Sequence, residues 1–176
     1  MTNKPESKLW HKLREGTQDL GVFWTRLESW ATPGIPDLHG IIDGTSFWLE
    51  LKVHRLKSLK SIALRPHQIA WQTRYFMNKG QVYNLVHHPS SSTLNIFGGE
   101  RAIKMGETKS HAPLEPDWCC ESPFDWHGVI NHILSSSSHL NSNQIKITTE
   151  RRLRRREDYD GEKITTERRL RRREDY

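Results

Sequence analysis

Hydrophobic positions along the chain change period several times, and each change marks an element. From about Glu6 to Arg14, Leu9, Trp10 and Leu13 fall at helical spacing and predict a short helix. "GVFWTRLESW" is dense in aromatic and branched residues and predicts a strand running into the turn-forming "ATPGIPD". "LHGII" and "SFWLELKV" flank Asp43-Gly44-Thr45, a hairpin signal. Residues two apart in a strand share a face. Phe47, Leu49, Leu51 and Val53 then form one apolar stripe, while Glu50 and Lys52 share the opposite face. A charged pair set into a core strand suggests a site built on that strand.

A basic loop, "HRLKSLKSIALR", follows, and Pro66 then opens a second helix. "PHQIAWQTRYFMNKG" has proline at the first helical position and Gly80 where the helix should stop. Ile69, Trp71, Tyr75 and Phe76 are the candidates for its buried face. "QVYNLVHH" reads as a strand and "STLNIF" as another. The order is helix, three strands, helix, strand. The hairpin makes neighbours antiparallel, and a strand–helix–strand crossover makes them parallel, so a mixed α/β sheet is expected.

Beyond Gly98 the pattern weakens. "PFDWHGVINHIL" reads as a helix packing on the core, and "SSSSHLNSN" as a polar linker. The expected domain organisation is a core over 1–98, a weakly patterned extension over 99–135, a Ser/Asn-rich linker over 136–145 and a tail over 146–176. "KITTERRLRRREDY" occurs at Lys146–Tyr159 and again, letter for letter, at Lys163–Tyr176. Each copy has six Lys or Arg against three acids and only Ile and Leu as aliphatic residues, so it cannot bury a core. The tail is expected to be exposed and basic, disordered or partly helical. It is either an added nucleic-acid contact or a dispensable duplication.

Composition narrows the class. No apolar run approaches the roughly 20 residues that span a bilayer, and the N-terminus has no stretch suited to a signal peptide. The expectation is an intracellular, soluble protein without a membrane partner. Cys119 and Cys120 are adjacent, so they offer neither a disulfide framework nor the two-residue gap of a zinc knuckle, even with His111, His127 and His132 nearby. A Ser or Cys nucleophile triad has no support. Charge distribution says more than the net +6: between Glu50 and Glu100 there is no Asp or Glu. That interval holds Lys52, Arg55, Lys57, Lys60, Arg65, Arg74 and Lys79. It is either the footprint of a polyanion or a solvated basic face.

Asp37 begins one hairpin strand and Glu50 lies in the other, and paired strands can bring two such carboxylates close. Leaving both ionised needs a counter-ion, and a hard divalent cation with oxygen ligands is the usual one. Lys52, on the face of Glu50, would then lie near the attacking water and the phosphate. Metal, positioned water and cation are what water attack on a phosphodiester requires.

"PD" at Pro36-Asp37 and "ELK" at Glu50-Leu51-Lys52, with 12 residues between Asp37 and Glu50, resemble the PD-(D/E)XK nuclease signature. The upstream helix, the Gly-Ile-Pro-Asp turn, the hairpin and the helix opened by "RPHQ" look like the VRR-NUC branch and its phage-encoded relatives. They are also similar to archaeal-type Holliday-junction resolvases. The resemblance covers roughly Leu9 to Val86. It implies a restriction-endonuclease-like αβββαβ core and Mg²⁺ or Mn²⁺ bound by Asp37 and Glu50, with the Leu51 carbonyl completing the shell. It implies a catalytic Lys52, an assisting glutamine at Gln68 and a further upstream acid, for which Glu28 and Glu15 compete and Glu28 is preferred. Cytoplasm, that of the host for a phage protein, is the expected location.

The expected function is a Mg²⁺-dependent endodeoxyribonuclease, selective by analogy for branched or junction DNA. Paired cuts in branched substrates would favour a homodimer. Arg26, Arg55, Lys57, Lys60, Arg65 and Arg74 are the expected phosphate contacts, in binding that is sequence-independent and salt-sensitive. Each residue has a plainer reading. Glu50 and Lys52 could be a surface pair, Glu28 and Arg26 could pair together, and Gln68 could simply start its helix. His39 is expected to be an ordinary strand residue, and Trp71 and Tyr75 core rather than base-stacking platforms. Two rivals remain: a nucleic-acid-binding module that keeps the fold without cleaving, and an interaction protein whose tail recruits nucleic acid.

Overall fold

The computed structural model describes residues 5–27, 33–55, 62–106 and 114–136. The chain divides into two units at Ser135/Ser136, and apart from Ser136 the described residues belong to the first. Glu28, Lys57, Lys60, the linker beyond Ser136 and the duplicated tail lie outside them.

The first helix, α1 (Pro5–Gly16), has proline at its start, Glu6 in its first turn and Arg14 in its last, charges that suit the helix dipole. It buries Leu9, Trp10 and Leu13. Next come β1 (Phe23–Arg26), β2 (Leu38–Ile42) and β3 (Thr45–Val53). Asp43 and Gly44 both take positive φ, 48° and 73°, as a two-residue type I′ hairpin requires. Helix α2 (Pro66–Met77) carries the chain across to β4 (Val82–His88), followed by β5 (Thr93–Gly98), the short α3 (Ala102–Gly106), β6 (Trp118–Glu121) and a helix over 126–136, α4.

The strands form one six-stranded sheet in chain order, β1 to β6. Every neighbouring pair is antiparallel except β3 and β4, which α2 joins in parallel. The mixed α/β sheet is therefore as the alternating pattern predicts. The extension supplies two unforeseen pieces: "WCCE" pairs with β5 as an edge strand, and α3 covers part of the sheet. Helix α4 is the one expected from "PFDWHGVINHIL", and its Val129, Ile130 and Ile133 enter the main core.

Each face of the sheet carries its own core. Leu38, Phe47, Leu49, Leu51, Leu85, Leu94 and Ile96 meet α1 and α4 on one face. On the other, Val86 and Phe97 join Ile62, Leu64, Ala102 and Met105. Burying a Leu or Phe side chain contributes about 1.5–3 kcal/mol. Phe47, Leu49 and Leu51 thereby hold β3 in register while its other face carries charge.

Helix α2 departs from expectation in two ways. Its fully buried residue is Gln72, whereas Ile69, Trp71, Tyr75 and Phe76 are only half-buried. Trp71 and Tyr75 stack at 4.7 Å and pack against Trp48, making an aromatic cluster that belongs to neither core. The left-handed residue after the helix is Lys79, not Gly80. Glycine is needed at 80 for space, because a Cβ there would sit 2.1 Å from the Tyr75 ring.

Candidate active site

Leu38 lies opposite Leu49 in the hairpin, so continuing the register by one step brings Asp37 opposite Glu50. Gly34 makes the approach possible. Its φ is +96°, and a Cβ there would meet the His67 carbonyl at 2.3 Å, so the turn into Pro36-Asp37 runs tight against the start of α2. The Leu27 N–H donates to the Asp37 carbonyl at 2.8 Å, and the Leu51 N–H donates to Asp37 Oδ2 at 2.9 Å. Asp37 is thereby pinned to both neighbouring strands.

Glu50 is 1% exposed. Its Oε1 takes an ion pair from Lys52 Nζ at 2.8 Å and a hydrogen bond from Gln68 Nε2 at 2.6 Å. Gln68 Oε1 accepts from Lys52 Nζ at 3.3 Å and from the Arg65 N–H at 3.0 Å, so one amide caps α2 and fixes both charged groups. Glu50 Oε2 is buried and has no hydrogen-bond partner among the described residues. Burial raises the Glu50 carboxyl to about 7, with the Asp37 charge adding to the rise and Lys52 and Gln68 opposing it. Burial also raises Asp37; the Leu51 N–H, Lys52 and Arg26 oppose that shift, and Glu6 reinforces it.

An orphaned buried carboxylate oxygen costs roughly 1–3 kcal/mol or more. Two carboxylates whose protons are held too tightly by burial and mutual repulsion are what a hard cation relieves. The donor set fits Mg²⁺ or Mn²⁺: Glu50 Oε2, Asp37 and the Leu51 carbonyl are all oxygen donors. Among the described residues no group of three or more His, Cys, Asp or Glu could hold a metal ion, so a cation here would rest on two carboxylates and a carbonyl. Mg²⁺ commonly keeps waters and takes one or two carboxylates plus substrate phosphate.

The other predicted residues scatter. Arg65 lines a hollow of about 310 Å³ beside Lys52, together with Glu6. Arg26, on β1, reaches Ser7 at 3.4 Å, and its charge acts on Asp37. Arg55 lines a separate cavity, and Arg74 lies on the outer side of α2 beside Met77 and Ile103. Glu15 is exposed near the end of α1, while Glu28, Lys57 and Lys60 are outside the described residues. His39 donates to or accepts from Ser46 at 2.7 Å and packs on Trp48, as a structural strand residue does. The acid that sequence reasoning missed is Glu6. It faces the same hollow as Lys52, and its charge is felt at Asp37.

Behind Glu50 lies a second polar device. Asn84, opposite Glu50 in β4, is fully buried and exchanges two amide hydrogen bonds with Gln72, at 2.8 and 2.9 Å. Gln72 sits one helical turn after Gln68, so the pair fixes α2 where it grips Glu50 and Lys52. Asn84→Leu is expected to destabilise the protein by about 1–3 kcal/mol in urea unfolding, because it strands the Gln72 amide. Adding Gln72→Leu should recover most of the loss.

No family model matches the chain, and no curated protein does. Among solved structures the chain is similar to a VRR-NUC domain, at 23% identity and a TM-score of 0.39, over 47% of this chain and 84% of the other. It is also similar to a Holliday junction resolvase from Archaeoglobus fulgidus, at 13% identity and a TM-score of 0.42, over 66% of this chain and 88% of that one.

Proposed function

We propose that the protein is a Mg²⁺-dependent endodeoxyribonuclease that hydrolyses phosphodiester bonds by water attack. The observation that carries this reading is Glu50: a buried carboxylate with one oxygen held by Lys52 and Gln68 and the other left without a partner beside Asp37. A structural ion pair does not need an orphaned oxygen, whereas a metal ligand does.

Asp37, Glu50 and the Leu51 carbonyl would hold the cation, which supplies charge neutralisation at the phosphate and acidifies a water. The chain's own groups do the remainder. The Lys52 ammonium has three donors; among the described residues Glu50 and Gln68 engage two, which leaves the third for a phosphate oxygen. Lys52 thus offsets the negative charge that grows on the phosphate in the transition state. Gln68 keeps Lys52 from folding onto Glu50 alone. Arg26, Arg55 and Arg65 supply backbone phosphate contacts, Glu6 assists at Asp37, and the resemblance of the Pro36–Lys52 signature directs the reading to branched DNA cut by a homodimer.

The test is cleavage of labelled duplex, flap and four-way-junction DNA, with a matched RNA, in Mg²⁺, Mn²⁺ and EDTA. The reading expects metal-dependent internal cuts, fastest on a branched substrate, and none with Asp37→Ala. Binding to every substrate without cutting any would leave a non-catalytic module instead.

A further inference from the structure

A second cavity, of about 500 Å³, lies between α1 and the ends of β3 and β4. Its apolar floor includes Leu9 and Val53, and its polar side chains are Lys8, Lys12, Arg55, His87 and Ser90, with no acid among its lining residues. Lys8 and Lys12 stand at i and i+4 on one helix face, an arrangement that costs a few tenths of a kcal/mol through repulsion. Among the described residues none of the three cations has an ion-pair partner. Lys12 Nζ lies 5.6 Å over the Phe124 ring, and His87 packs on the same ring at 5.3 Å. Burial and the Lys12 charge hold His87 below its usual range, so at neutral pH it adds a hydrogen-bonding ring rather than a fourth charge.

Three unpaired cations around an apolar floor match a group that is anionic at one end and flat and apolar at the other. The volume lies within the range of small-ligand sites, larger than a lone phosphate needs. Successive residues of a strand point to opposite faces, so Val53 opens this cavity on the α1 face while Lys52 meets Gln68 of α2 on the other.

We propose that this cavity is a second phosphate site, which takes a phosphorylated nucleotide of the bound nucleic acid away from the candidate active site. The proposal rests on the nucleic-acid reading for its ligand and adds Lys8, Lys12 and His87 to the residues that contact it. The same chemistry could serve a free nucleotide, and the experiment separates the two.

Binding of labelled duplex and junction DNA is measured by fluorescence anisotropy in EDTA and in Ca²⁺, across a range of salt. Wild type, the double variant Lys8→Gln/Lys12→Gln and the charge control Lys104→Gln are compared, with circular dichroism confirming the fold. The double variant is expected to bind about tenfold more weakly near 0.1 M salt, its log–log salt slope flattened by about 1, with the control unchanged. A double variant with wild-type affinity and slope overturns the proposal. So does binding of a nucleoside monophosphate or inorganic phosphate that is lost in Lys8→Gln/Lys12→Gln but leaves DNA affinity unaffected, which assigns the cavity to a free ligand. A protein that binds DNA with the full slope but never cuts removes the nuclease and leaves this site standing. A cutting enzyme indifferent to Lys8 and Lys12 removes the site alone, and a protein that binds no nucleic acid removes both.

Discussion

Glu50→Gln is expected to stabilise the metal-free protein at pH 8 by about 3 kcal/mol and to change its stability little at pH 4. The carboxyl is raised from 4.5 to about 7 in the folded protein. Below 4.5 it is protonated whether folded or unfolded and contributes nothing. Between 4.5 and 7 the folded state holds the proton that the unfolded state releases, so stability falls as pH rises. Above 7 both forms are ionised and the full penalty remains, at 1.36 kcal/mol per pH unit of displacement. Glutamine keeps the shape and the Gln68 contact without the charge. A divalent cation reverses the sign for the wild type: it should raise the thermal midpoint at pH 8 and leave Glu50→Gln unmoved. Thermal unfolding at pH 4, 6 and 8, with EDTA or Mg²⁺, reads all of this, and equal midpoints for both proteins at pH 8 would remove the buried, metal-seeking carboxylate.

Lys52→Ala should reduce cleavage by about 100- to 1,000-fold, the loss typical when one preorganised donor to transition-state charge is removed. Its side chain is only 19% exposed, and its ammonium is fixed from two sides by Glu50 and Gln68. DNA binding should change far less, because one buried lysine is a small part of the basic surface. Gln68→Ala should lose activity by a smaller factor, since it acts by aiming Lys52 and Glu50. Single-turnover rates beside equilibrium binding separate these effects; equal losses in binding and rate would demote Lys52 to a phosphate contact.

Much of this site is legible in the sequence because strand periodicity is local. The alternation from Phe47 to Val53 assigns Glu50 and Lys52 to one face without reference to the rest of the chain, and Asp43-Gly44 sets the register that brings Asp37 to them. Gln68 is legible only through the resemblance of "RPHQ", since nothing local distinguishes it from a helix-start residue. What lies across long sequence separations is not legible. Glu6 meets the site only because α1 packs against β3, and no pattern in "PESKLW" says which acid will face Asp37. Nothing in the sequence pairs Gln72 with Asn84, yet each satisfies the other's amide in the interior. Trp71 and Tyr75 have core spacing, but the core beneath α2 is shared with a polar interior, so they form their own aromatic cluster. "WCCE" lacks the alternation of a half-buried strand and owes its place to the free edge of β5.

In the proposed function Asp37 and Glu50 hold a divalent cation that would drive phosphodiester hydrolysis. The most direct test is the cleavage rate of a labelled four-way junction by the wild-type protein as Mg²⁺ is titrated upward from EDTA, with DNA binding followed in the same samples. The account predicts no cutting in EDTA, and a rate that rises and saturates with the cation while the DNA stays bound. Cutting in EDTA, or bound DNA left intact at every Mg²⁺ concentration, would contradict it.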